Sequence, residues 1–229
     1  MGAGFYAFSR VFLKKVFWLA GGVEVIGAEK MPKDGPVIVA SNHASFLDPI
    51  LLGTYLPRMV SFMARRNLFD HWLVGPVIRG LFAFPIHRDG DPREALRAFG
   101  QRLGEGWPVI MFPEGTRTRT GKLAELKTGV GMISTRNHAP VLPVYVWGSY
   151  QSWPRNAKFP RRQHFRIHLG DPVYPDSFLA EGKKQAQEKV VRTLDERLHL
   201  LEEDAWQGQE PVPLALPEPT PELPAPAEE

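Results

Sequence analysis

The sequence predicts one α/β domain: a central sheet of about seven short strands, covered by helices on both faces. Two observations carry this. Short apolar runs rich in Val, Ile and Phe alternate with stretches of helical periodicity. The 229 residues are 43% apolar and 23% charged, an ordinary globular balance, and the length suits one α/β core better than two.

Taken in chain order, residues 1–20 form the first element. At 100° per residue Phe5, Phe8, Phe12, Val16 and Leu19 share a face, Arg10 and Lys14 lie opposite, and Phe17 and Trp18 sit on the flanks. No acid occurs there. A cationic, aromatic amphipathic helix suits a membrane interface. The alternative is a helix packed on the protein's own core. So many large aromatics near a terminus favour the interface.

The strand runs are residues 23–26, 37–40, 59–63, 83–87, 109–112, 141–147 and 165–169. Helical patterns lie between them at 68–81, 128–137 and 176–203. A further helix starts at Asp91-Pro92-Arg93-Glu94, an N-cap, a Pro in the first turn and a capping-box Glu. Its buried stripe is Ala95, Leu96, Phe99 and Leu103. Strands alternating with helices argue for a sheet covered on both faces. Residues 207–229 are acidic and Pro-rich, a composition that predicts disorder. The expected organisation is therefore an interfacial helix (1–20), a domain (21–206) and a tail (207–229).

Charge is unevenly spread. The chain has 28 Lys and Arg against 25 Asp and Glu, but the eight acids from Glu202 onward meet no base. Residues 1–201 thus carry 28 − 17 = +11. A basic body suits nucleic acid, an anionic membrane or a phosphorylated substrate, or is simply a solvated surface. Cysteine is absent, which excludes a disulfide scaffold, a thiolate nucleophile and a sulfur-ligated zinc. No run is long and apolar enough for a membrane-spanning helix. Arg10, Lys14 and Lys15 interrupt the N-terminal apolar stretch, so no cleavable signal peptide is expected.

Three segments carry candidate chemistry, each at the carboxyl end of a strand run. The first is Ser41-Asn42-His43-Ala44-Ser45-Phe46-Leu47-Asp48-Pro49. A carboxylate at Asp48 can fix the tautomer of His43 and leave its other nitrogen as a general base. A five-residue spacing separates the two by about 140° on a regular helix, so the pair needs a bend or a helix start. Pro49 biases Asp48 away from the helical region. The second is Phe112-Pro113-Glu114-Gly115-Thr116-Arg117-Thr118. Gly115 permits close backbone approach, and Arg117 offers a planar fork for phosphate. Its bland alternative is a surface turn. A phosphate-binding P-loop is excluded here, because five residues separate Gly115 from Gly121 and Leu123 follows Lys122. The third is Pro85-Ile86-His87-Arg88-Asp89.

Together with the strand Val141-Leu142-Pro143-Val144, these segments resemble, in order and spacing, the glycerophospholipid acyltransferase family, most of all bacterial 1-acylglycerol-3-phosphate (lysophosphatidate) acyltransferases. The resemblance spans about residues 23–170. Lys127 and Gly129 match a Phe-Lys-x-Gly run, with Leu126 in place of Phe. The resemblance departs at the N-terminal region, which is short where many members carry longer hydrophobic segments. The resemblance implies a mixed sheet. It implies His43 as the base that deprotonates a lysophospholipid hydroxyl, and Asp48 as its orienting carboxylate. Acceptor binding falls to Asn42, Arg88, Glu114, Gly115, Thr116, Arg117 and Lys127, with the arginines on phosphate. The donor is acyl-CoA or acyl carrier protein, and no metal or other cofactor is expected. The same residues would serve glycerol-3-phosphate or another lysolipid. A non-catalytic membrane-binding protein is the contrasting class, which the intact His43–Asp48 pair opposes. No nucleic-acid motif is present. A peripheral position on the cytoplasmic face of the membrane follows, with the cluster Arg155, Lys158, Arg161, Arg162 and Arg166 adding to docking or merely solvated.

Overall fold

The computed structural model describes residues 3–86 and 92–206. The strands are β1 (Val23–Ile26), β2 (Val37–Ser41), β3 (Ser61–Arg65), β4 (Ala83–Ile86), β5 (Pro108–Met111), β6 (Val141–Trp147) and β7 (Phe165–Leu169). The helices are α1 (Ala3–Ala20), α2 (Asp48–Tyr55), α3 (Arg66–Phe69), α4 (Val74–Gly80), α5 (Pro92–Gly104), α6 (Gly129–Asn137), α7 (Ser149–Ser152) and α8 (Lys183–Trp206).

The strands form one seven-stranded sheet in the order β1-β7-β6-β2-β5-β3-β4. All neighbours are parallel except the antiparallel pair β6–β7, so the sheet is mixed. The central strands β2 and β6 are buried along their whole length, which is why they read as unbroken apolar runs. Alternate residues feed two cores. Val37 and Val39 pack with Tyr6, Phe17, Leu51 and Ile78 under α1, α2 and α4; Ile38 and Ala40 pack with Phe99, Ile133, Val190 and Leu194 under α5, α6 and α8.

Several boundaries differ from the sequence reading. The third strand starts at Ser61, two residues late. The helix expected over 68–81 is two short ones. Pro76 has no N–H to donate to Trp72, and His71 instead caps the start of α4: Gly75 N donates to its carbonyl (2.8 Å), and Leu73 N and Val74 N to its Nδ1 (3.3 Å each). The helix expected from 176 starts at Lys183, because Gly182 sits at φ 104° between it and a 3₁₀ turn. Helix α2, with Pro49 in its first turn, was not foreseen. Asp91, Arg88 and the 207–229 tail lie outside the described residues.

Helix α1 has two working faces. Tyr6, Leu13 and Phe17 are buried in the core, and Tyr6 donates to the carbonyl of Gly53 (2.7 Å). Phe8, Phe12, Trp18 and Leu19 are more than half exposed. Arg10 does not face solvent opposite them. Its Nε and Nη2 donate to the carbonyls of Thr54 (2.9 Å) and Leu56 (2.8 Å), satisfying the end of α2. Periodicity ranks residues by angle but cannot show which arc meets the sheet. Among the described residues no helix is long and apolar enough to cross a membrane.

Candidate active site

The parallel strands β2, β5, β3 and β4 end at one rim of the sheet, and both conspicuous motifs lie on the loops that leave it. Past Ser41 the chain leaves β2 and turns around a single oxygen. Asp48 Oδ2 accepts from Ala44 N and Ser45 N, each at 2.7 Å, and lies 2.8 Å from His43 Nδ1. Asp48 is wholly buried at the first residue of α2, while the His43 side chain is one-fifth exposed. The five-residue spacing is thus bridged by a helix start, one of the two geometries that it required. The imidazole stacks on Phe112 (centroids 4.0 Å, planes 16° apart), which fixes its second axis. Nε2 makes no hydrogen bond among the described residues.

Asn42 braces this loop. Its Nδ2 donates to Val146 O (3.1 Å) and its Oδ1 accepts from Val146 N (2.7 Å), continuing the ladder to β6 past the end of β2. Its amide is engaged by the protein's own backbone, and it is only 4% exposed.

Glu114 joins the second loop to the first. Its Oε1 accepts from the backbone N of His43 (2.6 Å) and its Oε2 from Ala124 N (3.1 Å). Thr118 N donates to His43 O (2.8 Å), so the backbone of His43 is held on both sides. Burial pushes the Glu114 carboxyl up to about 7 against the pull of those two N–H groups, and the charges of Asp48 and Glu202 push the same way as burial. Gly115 sits at φ 74°, and a Cβ there would lie 2.6 Å from Lys127 Nζ. Only glycine keeps that ammonium against the turn.

Arg117 lies flat over Phe46, its Cζ 3.5 Å from the ring centroid. Its Nη1 is buried and has no partner among the described residues. Burial and the neighbouring charge of Arg155 both lower its pKa. Unpaired N–H on a cation beside another cation is a place for an anion. Thr116 and Lys127 are exposed on the same loop. His43, Asp48, Glu114, Gly115, Thr116, Arg117 and Lys127 therefore gather at one rim; Arg88 lies outside the described residues.

Other residues of the site were not foreseen. Phe112 and Phe46, which stack on His43 and Arg117, stand inside the two motifs. Glu202 of α8 and Tyr145 of β6 carried no local signal. Glu202 Oε1 accepts from Leu123 N and from the Tyr145 hydroxyl, both at 3.1 Å, tying the end of α8 to the Glu114 loop. Burial, with the Glu202 charge next, raises the Tyr145 pKa and keeps that hydroxyl a donor. Among the described residues no cluster of His, Asp and Glu could hold a metal ion. An imidazole nitrogen free of any partner among the described residues and backed by a buried carboxylate, near a guanidinium with an unpaired N–H, can take a proton from a hydroxyl on a phosphate-bearing molecule.

Residues 22–147 match the family model described as Acyltransferase. The chain is 28% identical over 198 residues to a 1-acyl-sn-glycerol-3-phosphate acyltransferase of Bacillus subtilis (strain 168), spanning 86% of this chain and 96% of that relative. It is 31% identical over 148 residues to the human 1-acyl-sn-glycerol-3-phosphate acyltransferase alpha, spanning 63% and 52%. The crystal structure of the 1-acyl-sn-glycerophosphate acyltransferase from Thermotoga maritima superposes with a TM-score of 0.69 at 30% identity, over 86% of this chain and 80% of that one.

Proposed function

The chain belongs to the acyltransferase family, and from that premise we propose that it acylates the free hydroxyl of 1-acylglycerol-3-phosphate, giving phosphatidic acid, at the cytoplasmic face of an anionic membrane. It is an O-acyltransferase. The names of its Bacillus and human relatives support the acceptor.

The observation that carries the mechanism is the bond between His43 Nδ1 and Asp48 Oδ2. Asp48 holds the proton on Nδ1 and leaves Nε2 with its lone pair toward substrate. The logic is that of a serine triad with the acceptor hydroxyl in place of serine. Nε2 takes the hydroxyl proton as the oxygen attacks the thioester carbonyl. The tetrahedral intermediate collapses, the C–S bond breaks, and the imidazolium returns its proton to the departing thiolate. Asp48 stabilises the imidazolium between the two transfers. Arg117, with Lys127 over Gly115, carries the acceptor phosphate, and Arg88 joins them in this reading. Glu114 fixes the backbone of His43. Acyl-CoA and acyl carrier protein both supply the thioester, so the chemistry at His43 is common to either donor.

The exposed aromatics of α1 give the membrane contact, lying in the plane of the interface. The test is incubation with labelled lysophosphatidate or glycerol-3-phosphate and each donor in turn. Phosphatidic acid from the first acceptor is expected. Product from glycerol-3-phosphate alone would overturn the assignment.

A further inference from the structure

We propose that the loop of residues 153–163 is a second membrane-contact element, in which Phe159 enters the boundary between headgroups and acyl chains and Arg155, Lys158, Arg161 and Arg162 meet lipid phosphates. The inference rests on the reading that this enzyme works at a lipid surface, and it adds a second point of attachment.

Phe159 is 80% exposed, an apolar ring that the loop leaves uncovered. The four cations beside it are exposed as well, and none has a carboxylate partner among the described residues. No Asp or Glu stands between Glu125 and Asp171 in the sequence. The loop is nonetheless fastened. Arg161 N donates to Ser152 O (2.8 Å), Ser152 Oγ donates to Arg161 O (2.7 Å), and Trp153 Nε1 donates to Ala157 O (3.0 Å). Phe159 is therefore presented by a closed loop.

Position decides what the loop would meet. Strand β6 runs parallel to β2 and β7 runs antiparallel to β6, so this connection leaves the sheet at the rim that carries His43. Strand β1 is parallel to β7, so α1 ends at the same rim. Gln163 N donates to Ala20 O (2.9 Å), joining the loop to the end of α1 where Trp18 and Leu19 stand exposed. Ser45 Oγ donates to Trp153 O (2.8 Å), joining it to the loop of His43 and Asp48. An acidic protein would also suit four cations. Continuity with the exposed apolar face of α1, and an aromatic ring flanked by cations, favour lipid.

The absence of native cysteine allows a clean test on the full chain. Phe159→Cys carries an environment-sensitive nitrobenzoxadiazole label, and exposed Glu105→Cys, beyond the far end of α5, serves as control. The vesicles are phosphatidylcholine alone or mixed with phosphatidic acid. A blue-shifted, brighter signal at position 159 with the mixed vesicles, and none at 105, is expected. Phe159→Ser should bind the mixed vesicles roughly tenfold more weakly, the partial burial of one ring. Lys158→Ala with Arg161→Ala should lose about fivefold per charge at low salt, and less at high salt. A silent label at 159 on protein that still sediments with vesicles would overturn the loop and leave α1 as the anchor. No sedimentation at all would overturn both readings. Unchanged vesicle binding by Phe159→Ser, with a raised KM for acyl carrier protein alone, would assign the loop to that acidic protein instead.

Discussion

His43 Nδ1 and Asp48 Oδ2 stand 2.8 Å apart because the chain between them wraps that one oxygen with the backbone N–H groups of Ala44 and Ser45. The carboxylate is wholly buried, and three donors converge on that oxygen. Asp48→Asn keeps one oxygen for these donors but loses the charge. It is expected to lower kcat by roughly 10²–10⁴ with a much smaller change in KM, because the interaction strengthens as His43 becomes charged. Steady-state kinetics on folded variant check this.

Arg117 should act on the acceptor rather than on the acyl group. Its guanidinium stacks on Phe46 with Nη1 unpaired. Arg117→Ala is expected to raise KM for lysophosphatidate by about tenfold or more, the loss of one charged hydrogen bond, and to leave KM for the acyl donor nearly unchanged. The reverse ordering would put this arginine on the donor's phosphates.

Glu114 should give the fold a pH dependence of defined sign. Folded, it stays protonated up to about pH 7; unfolded, it ionises near its ordinary 4.5. Between those values the native state binds more protons, so this group's contribution is complete below the lower value and is lost as pH rises through about 7. The difference in melting temperature between the parent chain and Glu114→Gln should therefore move against the parent as pH rises across that window. A difference independent of pH would contradict the account.

The membrane test must respect the two faces of α1. Deleting residues 1–20 would remove Tyr6, Leu13 and Phe17 from the core and so confuse unfolding with release. Phe8→Ser with Phe12→Ser touches only exposed rings; it should shift protein from anionic vesicles to the soluble fraction while changing stability by about 0.5 kcal/mol or less per site. Leu13→Ala, by contrast, should cost about 2–5 kcal/mol in urea unfolding.

Much of this was legible because the signals are local. The central strands are buried on both faces and read as unbroken apolar runs, and the two site motifs stand directly behind β2 and β5. What escaped depends on partners distant in sequence. Arg10 looks like a solvent-facing cation until the end of α2 is placed beneath it. Nothing local in the sequence pairs Asn42 with Val146, whose backbone N and O engage its side-chain amide. Glu202 belongs to an acidic run near the end of α8, yet it holds Leu123 and Tyr145 behind the candidate site. The split of the 68–81 helix was available locally, in the missing N–H of Pro76.

The most direct test is thiol release from an acyl donor in the presence of lysophosphatidate, followed for the parent chain and for His43→Ala. The parent should release thiol in step with phosphatidic acid. The variant, with an unchanged circular dichroism spectrum and melting temperature, should lose roughly 10²–10⁴ in rate, the usual cost of removing a general base. Undiminished acyl transfer by a well-folded His43→Ala protein would contradict the assignment of His43 as the base.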